Sequence, residues 1–277
     1  MVLFIEILKA ILFGVVEGIT EWLPISSTGH MIILEDFVKM QVSEEFWNLF
    51  LVVVQLGAIM AVVVLMFNKI FPFNFDKKKG SFIKMDIMNL WFKIIVACVP
   101  AAVVGICFDD ILEKYLYNSI VVSIMLILFG VGFILVENKN NRKATVNHLN
   151  ELTYKDAIMI GLFQLIAAIF PGTSRSGATI LGALMIGVNR VVAAEFTFFL
   201  AIPVMFGASL LKLIKFGLVF TSFELIVLLV GMLVAFIVSI WAIKFLVGYI
   251  KKHDFKVFGW YRIILGIILL GYLFFMM

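Results

Sequence analysis

The sequence predicts an all-α polytopic membrane protein, and three features indicate this fold class. Of the 277 residues, 64% are hydrophobic and 14% are charged, whereas an ordinary soluble chain is roughly 45–50% apolar and about 25% charged. Six stretches are nearly free of charge and reach the length, about 17 to 25 residues, that a helix needs to cross a bilayer. Two further apolar segments are each interrupted in the middle by a polar stretch that contains proline. We therefore expect six full spans and two interrupted segments.

The order of these segments predicts two similar halves. The first half, 1–136, consists of the interrupted segment 1–34 and the spans 46–67, 87–108 and 118–136. A linker, 137–153, leads to the second half, 154–277, with the interrupted segment 154–188 and the spans 193–213, 222–247 and 258–277. Each half is thus expected to contain one re-entrant helical hairpin followed by three transmembrane helices.

The positions of Lys and Arg predict the orientation, because basic residues accumulate in cytoplasmic loops. The basic connections are 68–86, 137–156, 248–257 and the short one at Arg190, which together carry thirteen Lys and Arg. The connections that alternate with them, 35–45, 109–117 and 214–221, carry three. We expect the first group to be cytoplasmic and the second group and both termini to lie outside. Each interrupted segment must then return to its own side, as a re-entrant hairpin does and as two short complete spans would also do.

An internal repeat supports this arrangement. A shift of 147 positions places Ala10, Ile11, Gly14, Ile19 and Pro24 on Ala157, Ile158, Gly161, Ile166 and Pro171, and Ser27 on Ser174. Because three crossings follow each hairpin, the second copy is expected to be inverted relative to the first. Inverted repeats place a site near the bilayer midplane, where interrupted helices meet. The two polar stretches are therefore expected to face each other.

The first polar stretch, EGITEWLPISSTGH, runs from Glu17 to His30. Glu17 and Glu21 are four residues apart and share a helix face, and Pro24 is expected to end the helix because it lacks an amide hydrogen. Hydroxyls and free amides at the start of the next helix suit an anion, and they are supplied by Ser26, Ser27 and Thr28. His30 can exchange a proton near neutral pH. Ionisable groups at bilayer depth are costly, so their presence indicates function.

The second polar stretch, PGTSRSGAT, runs from Pro171 to Thr179. Arg175 carries a permanent charge on a planar fork that suits phosphate oxygens. Hydroxyls surround it and two glycines permit the tight backbone of an anion-binding nest; these residues are Thr173, Ser174, Ser176 and Thr179, with Gly172 and Gly177. An arginine that extends to a lipid headgroup is the alternative, but it would not explain the hydroxyls.

The two stretches differ in charge. At the positions of Glu17 and Glu21 the second half has Gln164 and Ala168, so the acids occur only in the first half and the arginine only in the second. Carboxylates beside an arginine and hydroxyls indicate hydrolysis of a phosphate ester or anhydride. A carboxylate there is also free to hold a divalent cation that neutralises phosphate charge.

Two other residue types bear on the environment of the chain. Cys98 and Cys107 fall in one predicted span, so we expect small core residues rather than a disulfide. The five tryptophans, Trp22, Trp47, Trp91, Trp241 and Trp260, lie near predicted span ends. They are expected to be interfacial anchors.

The two motifs resemble those of the undecaprenyl-diphosphate phosphatases, also called bacitracin-resistance proteins. EGITEWLPISSTGH is similar to the Glu-rich and Ser-Ser-Thr-Gly-His motifs of this family, and PGTSRSGAT to its Pro-Gly-x-Ser-Arg-Ser-x-x-Thr motif. The resemblance covers essentially the whole chain. It implies a bacterial inner-membrane enzyme that removes the terminal phosphate from a C55 isoprenoid diphosphate and so recycles the lipid carrier of cell-wall synthesis. It also implies a site open to the outer face, a need for Mg²⁺ or Ca²⁺, and a homodimer; no nucleic-acid partner is expected.

The resemblance also implies roles for individual residues. Glu17 and Glu21 are the acidic pair, with Glu21 the favoured metal or water partner. Ser27 and His30 lie at the reacting phosphorus, while Ser174, Arg175 and Thr179 hold the diphosphate. Ser27 attacking with His30 as its base is the favoured reading; His30 attacking, or activating water, is the alternative.

Two other functions compete with this one. Inverted repeats with hairpins at the midplane are also a transporter architecture, so a carrier of the lipid monophosphate, alone or in addition to hydrolysis, is the main alternative. It would not require Glu17, Glu21 and His30 beside the arginine. The membrane phosphatases that use a histidine nucleophile are the second alternative, but their Arg-Pro pair occurs nowhere in this sequence.

Overall fold

The computed structural model describes residues 2–75, 81–139, 144–217 and 219–276, and these contain eleven α-helices. The helices are α1 (Val2–Thr20), α2 (Ser27–Phe37), α3 (Glu44–Leu65), α4 (Phe67–Ile70), α5 (Met85–Leu116), α6 (Ser119–Lys139), α7 (Tyr154–Ile169), α8 (Arg175–Met185), α9 (Arg190–Phe216), α10 (Ser222–Ile250) and α11 (Lys256–Met276). Five of the basic residues on which the orientation depends lie outside the described residues: Lys77, Lys78, Lys79, Arg142 and Lys143.

The six predicted spans are confirmed as helices long and apolar enough to cross a membrane: α3, α5, α6, α9, α10 and α11. Side chains satisfy the free amides at several of their starts. Ser43 caps α3, and Thr221 forms a reciprocal capping box with Glu224 at α10. The largest boundary difference is in α5, which continues from the expected end at 108 to Leu116. Apolar length predicts where a helix leaves the bilayer core, and the helix itself continues into polar sequence.

The two interrupted segments each form a pair of shorter helices joined by a turn. The first pair is α1 and α2 and the second is α7 and α8. The second helix of each pair, α2 or α8, has 11 residues, so it extends about 16 Å, roughly half of the hydrocarbon core. This length favours a re-entrant hairpin over two complete crossings.

The two halves interlock through close helix contacts. Helix α1 packs along α10, α7 packs along α5, and α6 packs along α11. Small residues allow these backbones to approach. A Cβ placed on Gly161 of α7 would lie 2.4 Å from the Ala97 carbonyl of α5, and one on Gly14 of α1 would lie 2.7 Å from the Gly231 carbonyl of α10. Each hairpin is therefore held against a span of the other half.

Apolar side chains divide between a packed interior and a lipid-facing surface. Trp22 is fully buried against Phe198, and Trp47 is buried against Phe13. The prediction that all five tryptophans are interfacial anchors is therefore wrong for these two, because their positions along the chain say nothing about the helix face. For the same reason Cys107 is exposed rather than in the core.

Candidate active site

The turns between the paired helices have the same local geometry. Ser26 precedes α2 with φ 75°, and Ser174 precedes α8 with φ 67°. Among the described residues these are the only non-glycine residues with positive φ. Each hydroxyl accepts a hydrogen bond from an amide three residues on, Gly29 in α2 and Gly177 in α8. Backbone strain of this kind clusters at functional sites, and here it occurs where both polar stretches turn.

The turn geometry changes the correspondence between the halves by one residue. The shift of 147 places Ser27 on Ser174, but the residue with the same cap and the same φ as Ser174 is Ser26. Beyond the two prolines, the second turn is one residue longer than the first. The structural counterpart of Ser27 is therefore Arg175, so one half presents a hydroxyl where the other presents a guanidinium.

A single carboxylate joins the two stretches. The Ser27 hydroxyl donates to Oε2 of Glu21 at 2.7 Å, and Nη2 of Arg175 donates to Oε1 of Glu21 at 2.8 Å. The Glu21 and Arg175 side chains are 5% and 13% exposed. The expectation that the two stretches meet is confirmed at these three residues. The acid, the hydroxyl and the arginine form one buried polar centre.

Other hydroxyls of the second stretch hold this centre together. Ser176 donates to the Glu21 carbonyl at 3.1 Å and lies 3.1 Å from the Ser174 hydroxyl. Thr179 donates to the Arg175 carbonyl and pairs with the Thr197 hydroxyl at 2.8 Å. Nη1 of Arg175 donates to the Thr197 carbonyl at 3.3 Å. Ser176 and Thr179, expected to bind substrate, therefore make contacts that connect α8 to the first turn and to α9.

Glu17 lies beside Glu21 and is 1% exposed, and its Oε1 has no hydrogen-bond partner. Two adjacent buried carboxylates repel each other unless a proton or a cation lies between them. Within the described part of the chain, no group of three or more His, Cys, Asp or Glu side chains forms. A divalent cation would thus take two protein carboxylates and complete its oxygen shell from the substrate. The donor set fits such an ion.

His30 has a partner on each ring nitrogen. Nδ1 lies 2.7 Å from the Ser26 carbonyl and Nε2 lies 2.6 Å from the Tyr261 hydroxyl. A carbonyl only accepts, so Nδ1 carries the hydrogen and Nε2 of the neutral ring accepts from Tyr261. The Ser27 hydroxyl donates to Glu21 and not to His30. The role of His30 as the base for Ser27 stays a prediction, and in this arrangement Glu21 is the nearer acceptor.

The remaining predicted residues lie around the turns. Gly172 has φ 86°, and a Cβ there would lie 2.5 Å from the Val122 carbonyl of α6, so only glycine fits. Thr173 is fully buried and its hydroxyl has no partner. Thr28 is exposed. The carbonyls of the first two accept hydrogen bonds from Arg262 of α11.

Unpartnered polar atoms concentrate at this centre. Within the described residues, every buried side-chain nitrogen or oxygen that lacks a hydrogen-bond partner belongs to one of the two hairpins: those of Glu17, Trp22, Gln164, Thr173 and Arg175. Native proteins leave few buried polar groups unpaired, and such groups call for a bound molecule or water. These unpartnered atoms make the two hairpins the part of the described chain best suited to take up a polar ligand.

Sequence reasoning missed several polar residues of the centre. Thr197, Trp22 and Gln164 gave no signal, because a lone polar residue in an apolar helix is common. The sequence did give a signal for Arg262, because it is the single charged residue within the last predicted span. Tyr261, which contacts His30, lies next to it in the sequence.

The fold and the centre define a class of protein. It is a multi-pass α-helical membrane protein in which two broken helices bring carboxylates, hydroxyls and a guanidinium to one buried point. The sequence model of the family described as bacitracin resistance protein BacA matches residues 10–268. The chain belongs to this family.

Curated relatives are similar over nearly the whole chain. A protein of Desulfitobacterium hafniense named undecaprenyl-diphosphatase is 62% identical over 97% of this chain and 96% of its own length. One of Enterococcus faecalis with the same name is 62% identical, over 96% and 97% of the two chains. Undecaprenyl-diphosphatase 1 of Clostridium acetobutylicum is 63% identical over 97% of each chain.

Proposed function

We propose that this protein is an undecaprenyl-diphosphatase, an integral membrane enzyme that hydrolyses undecaprenyl diphosphate to undecaprenyl phosphate and inorganic phosphate. The names of its relatives support this activity, and the family to which it belongs connects it to bacitracin resistance. The observation that carries the mechanism is the Glu21 carboxylate, which bonds to Ser27 of one hairpin and to Arg175 of the other. An acceptor, a nucleophile and an anion-binding group thereby meet at one buried point.

Ser27 is the nucleophile in this proposal. Its oxygen attacks the terminal phosphorus while its proton passes to Glu21, which lies 2.7 Å away. The bond between that phosphorus and the bridging oxygen breaks, and undecaprenyl phosphate leaves with the bridging oxygen. Water then attacks the phosphorus of the phosphoserine, the bond from phosphorus to Oγ breaks, and Oγ takes its proton back from Glu21, which restores Ser27 and releases inorganic phosphate.

Arg175 couples substrate binding to the availability of Glu21. Its Nη2 forms an ion pair with Oε1 of Glu21 at 2.8 Å, so the fork is already engaged by a carboxylate. A diphosphate competes for the same fork. When Arg175 turns to the phosphate oxygens, Glu21 is released from the ion pair while it keeps its hydrogen bond to the Ser27 hydroxyl.

Mg²⁺ or Ca²⁺ is the proposed cofactor, held by Glu17 and Glu21. The bound ion supplies charge neutralisation at the phosphate oxygens. The unpartnered Oε1 of buried Glu17 supports this assignment. The hydroxyls of Ser174 and Thr173 lie on the other hairpin. In this proposal they bind the diphosphate and not the cation.

The membrane is the source of the substrate. The proposed arrangement has the protein in the bacterial inner membrane with its site open to the outer face and both termini outside. The connection before α3, 35–45, has only one basic residue, Lys39, which supports an outer location for that end. A homodimer stays a prediction.

Hydrolysis is tested with purified protein in detergent. Given undecaprenyl diphosphate and Mg²⁺, the protein is expected to release inorganic phosphate, whereas Ser27→Ala is not. A lipid-phosphate carrier is the alternative function, and it predicts the reverse pattern: no phosphate release, but movement of the lipid monophosphate between leaflets of liposomes. The names of the relatives favour the phosphatase.

The cation is tested separately. Removal of divalent ions with EDTA should abolish phosphate release, and added Mg²⁺ should restore it. Glu17→Gln keeps the shape of the side chain but removes its charge, so it should raise the Mg²⁺ concentration needed for half-maximal activity, as should Glu21→Gln if activity persists. An unchanged metal response in both variants would remove the two carboxylates from the cation site.

A further inference from the structure

Helix α11 brings two adjacent polar residues to the centre, and the mechanism above uses neither of them. Arg262 is completely buried, and Tyr261 is 43% exposed. Both lie within a helix long and apolar enough to cross the membrane. A buried ionisable residue in such a helix is costly and needs partners. Most of the partners that these two residues have belong to the two turns of the site.

Arg262 connects the two turns. Its Nη1 donates to the Pro24 carbonyl at 3.3 Å, and its Nη2 donates to the carbonyls of Gly172 at 2.9 Å and Thr173 at 2.7 Å. Its Nε lies 3.5 Å from the Leu126 carbonyl of α6. One rigid fork therefore fixes the separation of two turns that lie about 150 residues apart in the sequence.

The charge of Arg262 has no carboxylate partner among the described residues, where the ion pairs involve other arginines and lysines. Backbone carbonyls accept hydrogen bonds from all three of its nitrogens, so the guanidinium is held without being neutralised. Gly177 makes room for it, since a Cβ there would lie 2.7 Å from Nη1. A positive charge is thus kept beside the anion-binding turns.

Tyr261 holds the ring of His30. Its hydroxyl lies 2.6 Å from Nε2, and the two rings are parallel within 8° with centroids 5.6 Å apart. Together with the Ser26 carbonyl on Nδ1, this contact defines both the orientation and the tautomer of the imidazole.

We infer that Tyr261 and Arg262 are positioning residues for the hydrolysis: Arg262 sets the distance between the two turns so that Ser27, Glu21 and Arg175 meet, and Tyr261 orients His30. This inference rests on the proposed function. Neither residue touches the substrate in it; each acts through a residue that does.

The test of Arg262 is its replacement by lysine, with Arg190→Lys as the matched control. A lysine keeps the charge but has one nitrogen, which cannot reach Pro24 and Gly172 together. Because a displacement of about 1 Å can cost about 100-fold in rate, Arg262→Lys should lower kcat by about 100-fold, and it should also weaken diphosphate binding because the same two turns hold the substrate. Arg190 also makes a two-point contact, to Glu137 away from the site, so Arg190→Lys should lose stability but keep kcat.

The test of Tyr261 is Tyr261→Phe, with Tyr272→Phe on the same helix as its control. Tyr272 contacts Phe37 through its ring and does not reach the turns. Loss of one hydrogen bond of about 1 kcal/mol should lower kcat roughly fivefold in Tyr261→Phe and leave its melting temperature unchanged. Tyr272→Phe should match the wild type in both.

The outcomes separate the inference from the proposed function. Methylenediphosphonate, which cannot be hydrolysed, should raise the melting temperature of the wild type, and this shift should shrink in Arg262→Lys but not in Arg190→Lys. An unchanged shift and kcat in Arg262→Lys, or a loss of kcat in Arg190→Lys as large as that in Arg262→Lys, overturns the inference. Should Arg262→Lys not fold, Arg262→Gln takes its place under the same criteria. Absence of phosphate release by the wild type, with the ligand shifts as expected, would instead count against the function alone.

Discussion

Individual side chains in this protein take their roles from their partners. Glu21 and Glu17 are both buried carboxylates in the same hairpin, but Glu21 is bonded to Ser27 and Arg175 whereas Glu17 keeps one oxygen unpartnered. In the proposed mechanism Glu21 accepts the Ser27 proton, and Glu17 contributes its free oxygen to the cation site that the two carboxylates share. Their spacing predicted that they share a helix face. It did not predict that their contacts differ, because the partner Arg175 of Glu21 lies about 150 positions away in the sequence.

Replacement of Arg175 by lysine tests the shape of the guanidinium. The fork donates to Glu21 and to the Thr197 carbonyl at once, and an ammonium cannot reproduce two directed contacts. Arg175→Lys should therefore lower kcat/KM by about 100-fold or more, as loss of a transition-state donor does. Phosphate release by the purified variant measures this, and near-normal turnover would remove Arg175 from the phosphate site.

The adjacent serines of the first turn should respond differently to alanine. Ser27→Ala removes the proposed nucleophile and should reduce phosphate release at least about 1,000-fold, with a nearly unchanged melting temperature. Ser26 caps α2 at φ 75°, so Ser26→Ala should lower the free energy of unfolding by about 1–2 kcal/mol. If Ser27→Ala keeps its activity and Ser26→Ala loses it without loss of stability, the roles of the two serines are exchanged.

The long helices of this molecule pack closely against the two hairpins that carry the site. Each hairpin packs along a span of the other half, and glycines and alanines line these contacts. Without a hydrophobic force between helices in lipid, packing of this kind supplies much of the association energy. The short helices α2 and α8 are thus held in place from outside rather than by their own length.

Gly57 of α3 tests this packing. A Cβ at this position would lie 2.1 Å from the Met232 carbonyl of α10, so α3 and α10 would have to separate. Gly57→Ala should lower the free energy of unfolding by about 1–3 kcal/mol, as overpacking does. Thermal unfolding in detergent is the measurement.

Gly248 of α10 is the matched control, because a Cβ there meets nothing within 4 Å. Gly248→Ala should stabilise slightly, by up to about 1 kcal/mol, through helix propensity. Equal effects of the two substitutions would mean that the close approach of α3 and α10 contributes little.

The whole molecule has an apolar surface that faces lipid and a polar centre inside its packed interior. The distribution of its charges predicts its orientation in the membrane. Basic residues such as Lys251 and Lys252 follow α10, whereas Glu44 and Glu45 begin α3. Basic loops stay in the cytoplasm. The orientation with both termini outside follows from this asymmetry, whereas the outward-facing site is implied by the family resemblance; both are predictions about the membrane and not about the fold.

Cysteine labelling measures the orientation. In a chain carrying Cys98→Ala and Cys107→Ala, Glu45→Cys should react with a membrane-impermeant maleimide in intact protoplasts, and Lys252→Cys only after permeabilisation. Both positions are exposed, and both variants should label in permeabilised cells. The opposite pattern in intact protoplasts would place the basic loops outside.

Composition and apolar length were sufficient to predict the spans, since a bilayer imposes a minimum helix length whatever the packing. The motifs were likewise sufficient to predict most of the polar centre, because charges and hydroxyls at bilayer depth are costly unless they are used. These are local properties, and Glu21, Ser27 and Arg175 could be named from them.

Tertiary structure alone decided the pairings. The bond from Ser27 to Glu21, the one-residue difference between the turns, the burial of Trp22 and the position of Arg262 all depend on which helix faces meet. Such contacts join residues far apart in the sequence, and their geometry is set by close packing between helices. The local pattern of residues carries no information on that geometry, and for this reason the partners of His30 and Arg175 became visible only in the folded chain.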